Sequence, residues 1–246
     1  MRALTFDFWN TLVYEERGHL RGRRLDAWAG ILEEAGFACE RERLDAVFDS
    51  SWERYVSAWK ANQQYLAVEA AEHTVEALGF DVSPPLRARL IEAFTEAGRD
   101  AELHLTEGVA DLLASLKLAG LLIGIICDVG MTPSRLLRDH LARFGVLELF
   151  DHWSFSDEVG AYKPSPVIFR HALAGLGDID PGAAAHVGDL RRTDVAGARD
   201  VGMTSVRYTG VFDDDTQPEP EADHVLARWV ELPGALGLSS RQPRSG

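Results

Sequence analysis

The stretch Phe6-Asp7-Phe8-Trp9-Asn10-Thr11-Leu12 decides how the chain reads. It closes a β-prone apolar run that begins at Arg2 and sets an acid where a buried strand should end. Comparable runs recur at Leu121–Cys127, Trp153–Phe155, Ala184–Val187 and Thr204–Tyr208, so five buried strands are expected. Helical patterns over Gly108–Leu118, Pro133–Phe144, Pro166–Leu176 and Asp194–Gly202 separate the later runs. Strands that alternate with helices build a parallel sheet, and the period-2 alternation of an antiparallel sheet with one wet face is absent. The expected class is α/β, a parallel sheet core with helices on both faces.

One interval breaks this rhythm. From His19 to Leu103 the apolar residues fall at helical spacing among many Ala, Leu, Glu and Arg, which predicts about four helices divided near Gly36–Cys39 and Gly79–Pro85. An inserted helical cap over 17–105 is therefore expected between the two parts of the core, 1–16 and 106–238, with hinges at Tyr14–Gly18 and Leu103–Gly108. The Ser-, Arg-, Pro- and Gly-rich tail, 239–246, has no apolar content and is expected to be disordered.

Composition narrows the function. Of 246 residues, 46% are hydrophobic, enough for a substantial core. Lys and Arg number 25 against 39 Asp and Glu, and the net charge of −14 repels nucleic-acid phosphates and anionic lipid. Neither nucleic acid nor membrane is expected as a partner. No stretch approaches the ~20 apolar residues of a membrane span, and the N-terminal apolar run is too short for a signal peptide, which places the protein in the cytoplasm. Cys39 and Cys127 lie far apart in no Cys-x-x-Cys spacing, so neither a disulfide framework nor a thiolate zinc site is suggested.

In open parallel sheets the ligand sits outside the carboxyl ends of the strands. Four chemically capable groups fall there: Asp7, the pair Cys127 and Asp128, Lys163 after the third strand, and Gly188-Asp189 after the fourth. Asp7 either caps the following turn or serves as a carboxylate nucleophile. Asp189 and Asp194, five residues apart in Gly188-Asp189-Leu190-Arg191-Arg192-Thr193-Asp194, suit an oxygen-loving Mg²⁺ held through one direct ligand and one further acid. Lys163 in Gly160-Ala161-Tyr162-Lys163-Pro164 is either an ordinary solvated lysine or a fixed cation neutralising an anionic substrate and a carboxylate together.

In order and spacing these motifs resemble the haloacid dehalogenase superfamily, from Arg2 to about Val225. The resemblance implies a Rossmann-like core with a type C1 cap that closes over the site and selects substrate. It also makes Asp7 the nucleophile, Cys127 the phosphate-binding position, Lys163 the third-motif lysine, and Asp189 with Asp194 the acidic metal motif. Trp9, Asn10, Thr11 and Asp128 then border the substrate, and Asp7 and the Trp9 carbonyl join the metal ligands. Two departures stand out. The position two after the nucleophile, an acid/base Asp in phosphatase members, is Trp9, whose indole neither takes up nor releases a proton. The hydroxyl position before Asp128 is Cys127, a weaker donor, and Asp128 adds negative charge unless it points away, with Thr132 as another source of a hydroxyl.

The expected function is a Mg²⁺-dependent phosphatase of a small phosphorylated metabolite acting through an aspartyl phosphate. The alternatives are a 2-haloacid dehalogenase using Asp7 on carbon, and a phosphate- or partner-binding protein without turnover. The expected partner is a small anionic molecule, and the chain a monomer or homodimer. Within the cap, Trp59–Tyr65 groups aromatic, basic and amide side chains suited either to a polar substrate or to an exposed turn. Arg17, Arg21, Arg23 and Arg24 either attract an anion or pair with Glu15, Glu16 and Asp26.

Overall fold

The structure, a computed structural model, describes residues 1–216 and 220–238, so the expected disordered tail lies outside the described residues. In chain order the elements are β1 (Ala3–Phe6), β2 (Val13–Glu15), α1 (His19–Glu34), α2 (Arg41–Lys60), α3 (Ala67–Leu78), α4 (Pro84–Glu96), β3 (Leu103–Leu105), α5 (Val109–Leu118), β4 (Leu122–Cys127) and α6 (Ser134–Arg143). Then follow β5 (His152–Phe155), α7 (Ser156–Val159), α8 (Pro166–Gly175), β6 (Ala184–Gly188), a π-turn at Arg191–Val195, α9 (Ala196–Val201), β7 (Thr204–Tyr208), β8 (His224–Leu226) and α10 (Leu232–Ala235). The described chain divides into two units: 1–14, 104–128, 141–216 and 220–238 form the first, and 15–103 with 129–140 the second.

The first unit is built on a six-stranded sheet in the order β5-β4-β1-β6-β7-β8, every pairing parallel. Its fold is α/β and Rossmann-like. Because successive residues of a strand face opposite sides, Ala3 and Phe6 mark two faces. Ala3 joins Ile126 and Ala184 in a core closed by Ile168, Phe169 and Ala172 of α8 and Ala198 of α9. On the other face Phe6 meets Trp229 edge-on, and Trp229 stacks on Tyr208 at 4.1 Å. The Trp229 indole donates to Thr106 Oγ1 (2.9 Å), which in turn donates to the Thr11 carbonyl (2.9 Å), tying the residues after Asp7 to that face.

The second unit packs α1–α4 around Trp28, Phe48 and Phe94. Trp28 is fully buried, yet its indole N–H is satisfied by the Leu90 carbonyl at 2.9 Å. The boundary expected from the sequence needs one correction here. Residues 129–140 group with the helices rather than with the sheet, because Arg24 donates to the Met131 carbonyl (2.7 Å) and Thr132 Oγ1 (3.2 Å), and His140 Nε2 lies 2.7 Å from the Gly98 carbonyl. Two further elements were not anticipated: the sixth strand β8, and the two-stranded ribbon of β2 and β3 where the chain passes between the units. Among the described residues no helix is long and apolar enough to cross a membrane.

Candidate active site

β1 ends at Phe6, paired in register with Ile125 and Val187, so Asp7 leaves the sheet between β4 and β6. Its backbone N–H still donates to the Val187 carbonyl (2.8 Å), which fixes the direction of the side chain. The turn then reverses at Asn10, whose φ of 55° lies in the left-handed region that Asn tolerates better than most residues. Asn10 N–H donates to the Val13 carbonyl (2.8 Å), and its side-chain amide donates to Asp189 Oδ2 (3.3 Å).

Lys163 joins the acids. Its ammonium donates to Asp7 Oδ1 at 2.5 Å and to Asp194 Oδ1 at 2.6 Å, all three side chains being buried. The loop that carries it is anchored by Asp128, whose Oδ1 accepts the Lys163 backbone N–H at 2.9 Å. Asp128 thus spends one oxygen on the lysine loop. Thr132, the alternative hydroxyl, accepts from Arg24 within the helical unit instead.

Asp194 carries more donors than any other acid here. Oδ1 takes Lys163 and His186 Nε2 (3.0 Å), and Oδ2 takes the Leu190 N–H (3.0 Å) and Thr193 Oγ1 (3.3 Å). A carboxylate so occupied anchors a lysine better than it ligates a cation, in contrast to the metal role that the resemblance implies for it. Gly188 makes this approach possible, since a Cβ there would fall 2.1 Å from Asp194 Cγ. The following loop is held from outside, because Asp214 Oδ2 accepts the Arg191 N–H at 2.7 Å.

The electrostatics show a deficit of positive charge. Asp7, Asp189 and Asp194 are three buried carboxylates, and the ammonium bonded among them is one. Burial raises the Asp7 carboxyl to about 7 against the pull of Lys163, with the Asp194 charge adding to the rise. Asp189 is pushed well above the usual carboxylate range by burial and by the charges of Asp7 and Asp194. For Asp194, burial also acts upward, but Lys163 and the His186 hydrogen bond outweigh it and hold the group below its ordinary value. Burial works against the Lys163 charge, yet Asp194 and Asp7 carry its pKa well upward.

Among the described residues no group of three His, Cys, Asp or Glu side chains stands together as a metal site. The pair Asp7 and Asp189 nonetheless fits a hard cation, since both are buried oxygen donors, and the ammonium that Asp7 shares with Asp194 leaves Asp189 with a neutral amide as its hydrogen-bond partner. Cys127 closes β4, fully buried, and burial followed by the Asp7 charge pushes its thiol well above 9, so it stays protonated. The Thr11 hydroxyl is buried without a hydrogen-bond partner. Trp9 is half-buried, its ring edge-on to Phe8 at 5.0 Å, and no hydrogen bond joins it to the acids.

The structure therefore joins Asp7, Asp128, Lys163 and Asp194 in one hydrogen-bonded set and Asn10 with Asp189 in a second, the charges of Asp7 and Asp194 bearing on Asp189. The sequence reading missed His186, although a histidine inside an apolar strand run was a visible signal. In the helical unit Gln63, Gln64 and Tyr65 line a cavity of about 550 Å³ with Arg54 and His73. The arginine patch disperses: Arg21 pairs with Asp45 and Asp49, Arg23 donates to the Ala97 carbonyl, and Asp26 pairs with Arg41.

Buried acids and a lysine stand at the strand ends of an open α/β sheet, where such sheets hold their ligands. The chain belongs to the haloacid dehalogenase-like hydrolases, whose family model matches residues 1–202. It is 32% identical over 137 residues to the glyceraldehyde 3-phosphate phosphatase of Pyrococcus furiosus, covering 55% of this chain and 54% of that one. The chain thus spans about half the length of that curated relative. It is 25% identical over 236 residues to (S)-2-haloacid dehalogenase 1 of Pseudomonas sp. strain CBS-3, covering 96% of both. A 2-haloacid dehalogenase structure from Pseudomonas syringae pv. Tomato DC3000 superposes with a TM-score of 0.68 at 21% identity, over 96% of this chain and 98% of that one.

Proposed function

We propose that this hydrolase is a Mg²⁺-dependent phosphatase of a small phosphorylated metabolite. The observation that carries the reading is Asp189: a buried acid next to Asp7, bonded by a neutral amide, makes sense where a divalent cation enters with the substrate. Dehalogenation requires no such acid. Asp7, Asp189 and the Trp9 carbonyl would hold the ion, which when bound neutralises attacking carboxylate and phosphoryl oxygens.

The remaining steps belong to this chain's own side chains. Asp7 attacks phosphorus in line as the ester P–O bond breaks, the alkoxide leaving and taking its proton from solvent; water then attacks the aspartyl phosphate, giving up its proton to solvent, and inorganic phosphate departs to free Asp7. Lys163 pulls Asp7 toward its ionised form against burial and offers its third N–H to a phosphoryl oxygen. Asp128 and Asp194 fix the lysine from its backbone and its tip. Cys127, protonated, is a weak donor toward the same oxygens. Trp9 excludes water but gives no proton, so the leaving oxygen departs unassisted.

The second reading, a 2-haloacid dehalogenase, is favoured by Trp9 itself. Halide leaves without a proton, and an indole two residues after Asp7 is then no handicap. A panel of p-nitrophenyl phosphate, sugar phosphates and 2-chloropropionate, each with Mg²⁺ or with EDTA, separates the two. Phosphate release that needs Mg²⁺ is expected. Chloride release indifferent to EDTA overturns the phosphatase reading.

A further inference from the structure

β1 and β6 are the two central strands of the sheet, and their register sets Thr5 opposite His186. Central strands of a parallel sheet are buried on both faces and read as apolar runs. A polar pair there costs free energy unless each group is satisfied. Here both are. Thr5 Oγ1 lies 2.9 Å from His186 Nδ1, and His186 Nε2 lies 3.0 Å from Asp194 Oδ1.

The chemistry fixes the tautomer. An ionised carboxylate only accepts, so Nε2 carries the proton. Nδ1 then accepts from the Thr5 hydroxyl, whose other contact, to the Ala185 carbonyl, is longer at 3.4 Å. The ring is held in this orientation by Phe169, edge-on at 5.2 Å and 84°. A chain of hydrogen bonds runs from the middle of the sheet through His186, Asp194 and Lys163 to Asp7.

We propose that His186 is a positioning residue: its Nε2–H pins Asp194, so that Lys163 remains aimed at the Asp7 carboxylate. The inference rests on the reading of Asp7 as nucleophile. Its physical content lies in Oδ1 of Asp194, which is shared by two donors. With both present, the carboxylate cannot follow the ammonium when the lysine turns toward an anionic substrate. Without the imidazole, Oδ1 has the lysine alone, and the carboxylate, still held at Oδ2 by the Leu190 N–H and the Thr193 hydroxyl, can tip its Oδ1 after the ammonium. The histidine transfers no proton in this role.

The test compares His186→Met, similar in length but without a donor, with His186→Gln, whose terminal amide N–H reaches the position of Nε2. Loss of an orienting partner behind a functional group costs about 10- to 100-fold in activity. His186→Met should lose kcat on that scale with KM within about twofold, and His186→Gln should recover most of it. Urea unfolding midpoints of His186→Met, Asp194→Asn and the double variant supply a reading that needs no turnover: the two losses should fall short of additive. A parent without phosphatase activity on any substrate sinks the proposed function alone, since the midpoints still report the pairing. Parent-like kcat in His186→Met, equal losses in the Met and Gln variants, or additive midpoint losses overturn the positioning role.

Discussion

Asp7 and Trp9 stand two residues apart and carry opposite consequences for turnover. Asp7→Asn replaces the proposed nucleophile by an amide of the same shape, still able to accept from Lys163. The carboxylate is burdened by burial and by Asp194, so its removal relieves charge rather than unsettling the fold. Turnover should fall at least about a thousandfold while circular dichroism is unchanged. Activity near the parent level would remove Asp7 from the chemistry. At Trp9 the argument runs through the leaving group. Positioned acid/base catalysis is worth about 10²- to 10⁴-fold. On the proposed phosphatase reading its absence should therefore penalise alkyl phosphates, whose alkoxide is basic, far more than p-nitrophenyl phosphate. Trp9→Asp should raise kcat on alkyl phosphates by about tenfold or more and leave the nitrophenyl ester within a few fold. Equal parent rates on both classes, with no gain in the variant, would mean that another group supplies the proton.

At the scale of elements, the segment after β7 is tied to the sheet by Arg207. Its guanidinium bonds Glu221 at 2.8 Å and Asp213 at 2.5 Å, and Arg191 reaches Glu221 as well at 2.8 Å. These contacts hold the Glu221 carboxyl down at about 2, against an ordinary value of 4.5, with the Arg207 hydrogen bonds as the main cause. A carboxyl with a lowered folded value contributes stability that is full above its unfolded pKa and is lost as pH falls from about 4.5 toward 2. Glu221 is partly exposed, so solvent screening keeps the contribution near about 1 kcal/mol, or 2–4 °C in unfolding midpoint. Glu221→Gln should melt lower than the parent by that amount at pH 7, and the gap should narrow as melts are repeated toward pH 3. A gap independent of pH would assign the effect to packing.

Elements of this kind also show where the sequence was legible. Strands buried on both faces, such as Leu122–Cys127, announce themselves as apolar runs, and Asp7 and Asp189 were singled out because they follow such runs. The strand His224–Leu226 is three residues long, pairs on one side and exposes Val225, so it leaves no apolar signature. Likewise, the grouping of 129–140 with the helices depends on Arg24 meeting Met131 and Thr132 more than a hundred residues away, which no local pattern encodes. His186 was legible only as an anomaly, because its role depends on the register of β6 against β1.

At the scale of the whole molecule, net charge and local charge oppose each other. The chain carries −14, so an anionic substrate of the kind proposed would be repelled from a distance. Basic steering near α1 is weak, because Arg21 is neutralised by Asp45 and Asp49 and the Arg24 guanidinium is buried. The attraction supplied by Lys163 acts at contact, from a site that solvent ions barely reach. Salt screens the two unequally: the Debye length falls from about 30 Å at 0.01 M to about 8 Å at 0.15 M, which removes the long-range repulsion and leaves the buried contact nearly untouched. kcat/KM for an anionic phosphate ester should therefore rise about two- to fivefold between those ionic strengths, with kcat almost constant. A neutral salt such as sodium chloride serves for the titration, at constant free Mg²⁺. A fall in kcat/KM over that range would mean that exposed cations, Arg17 among them, steer the substrate after all.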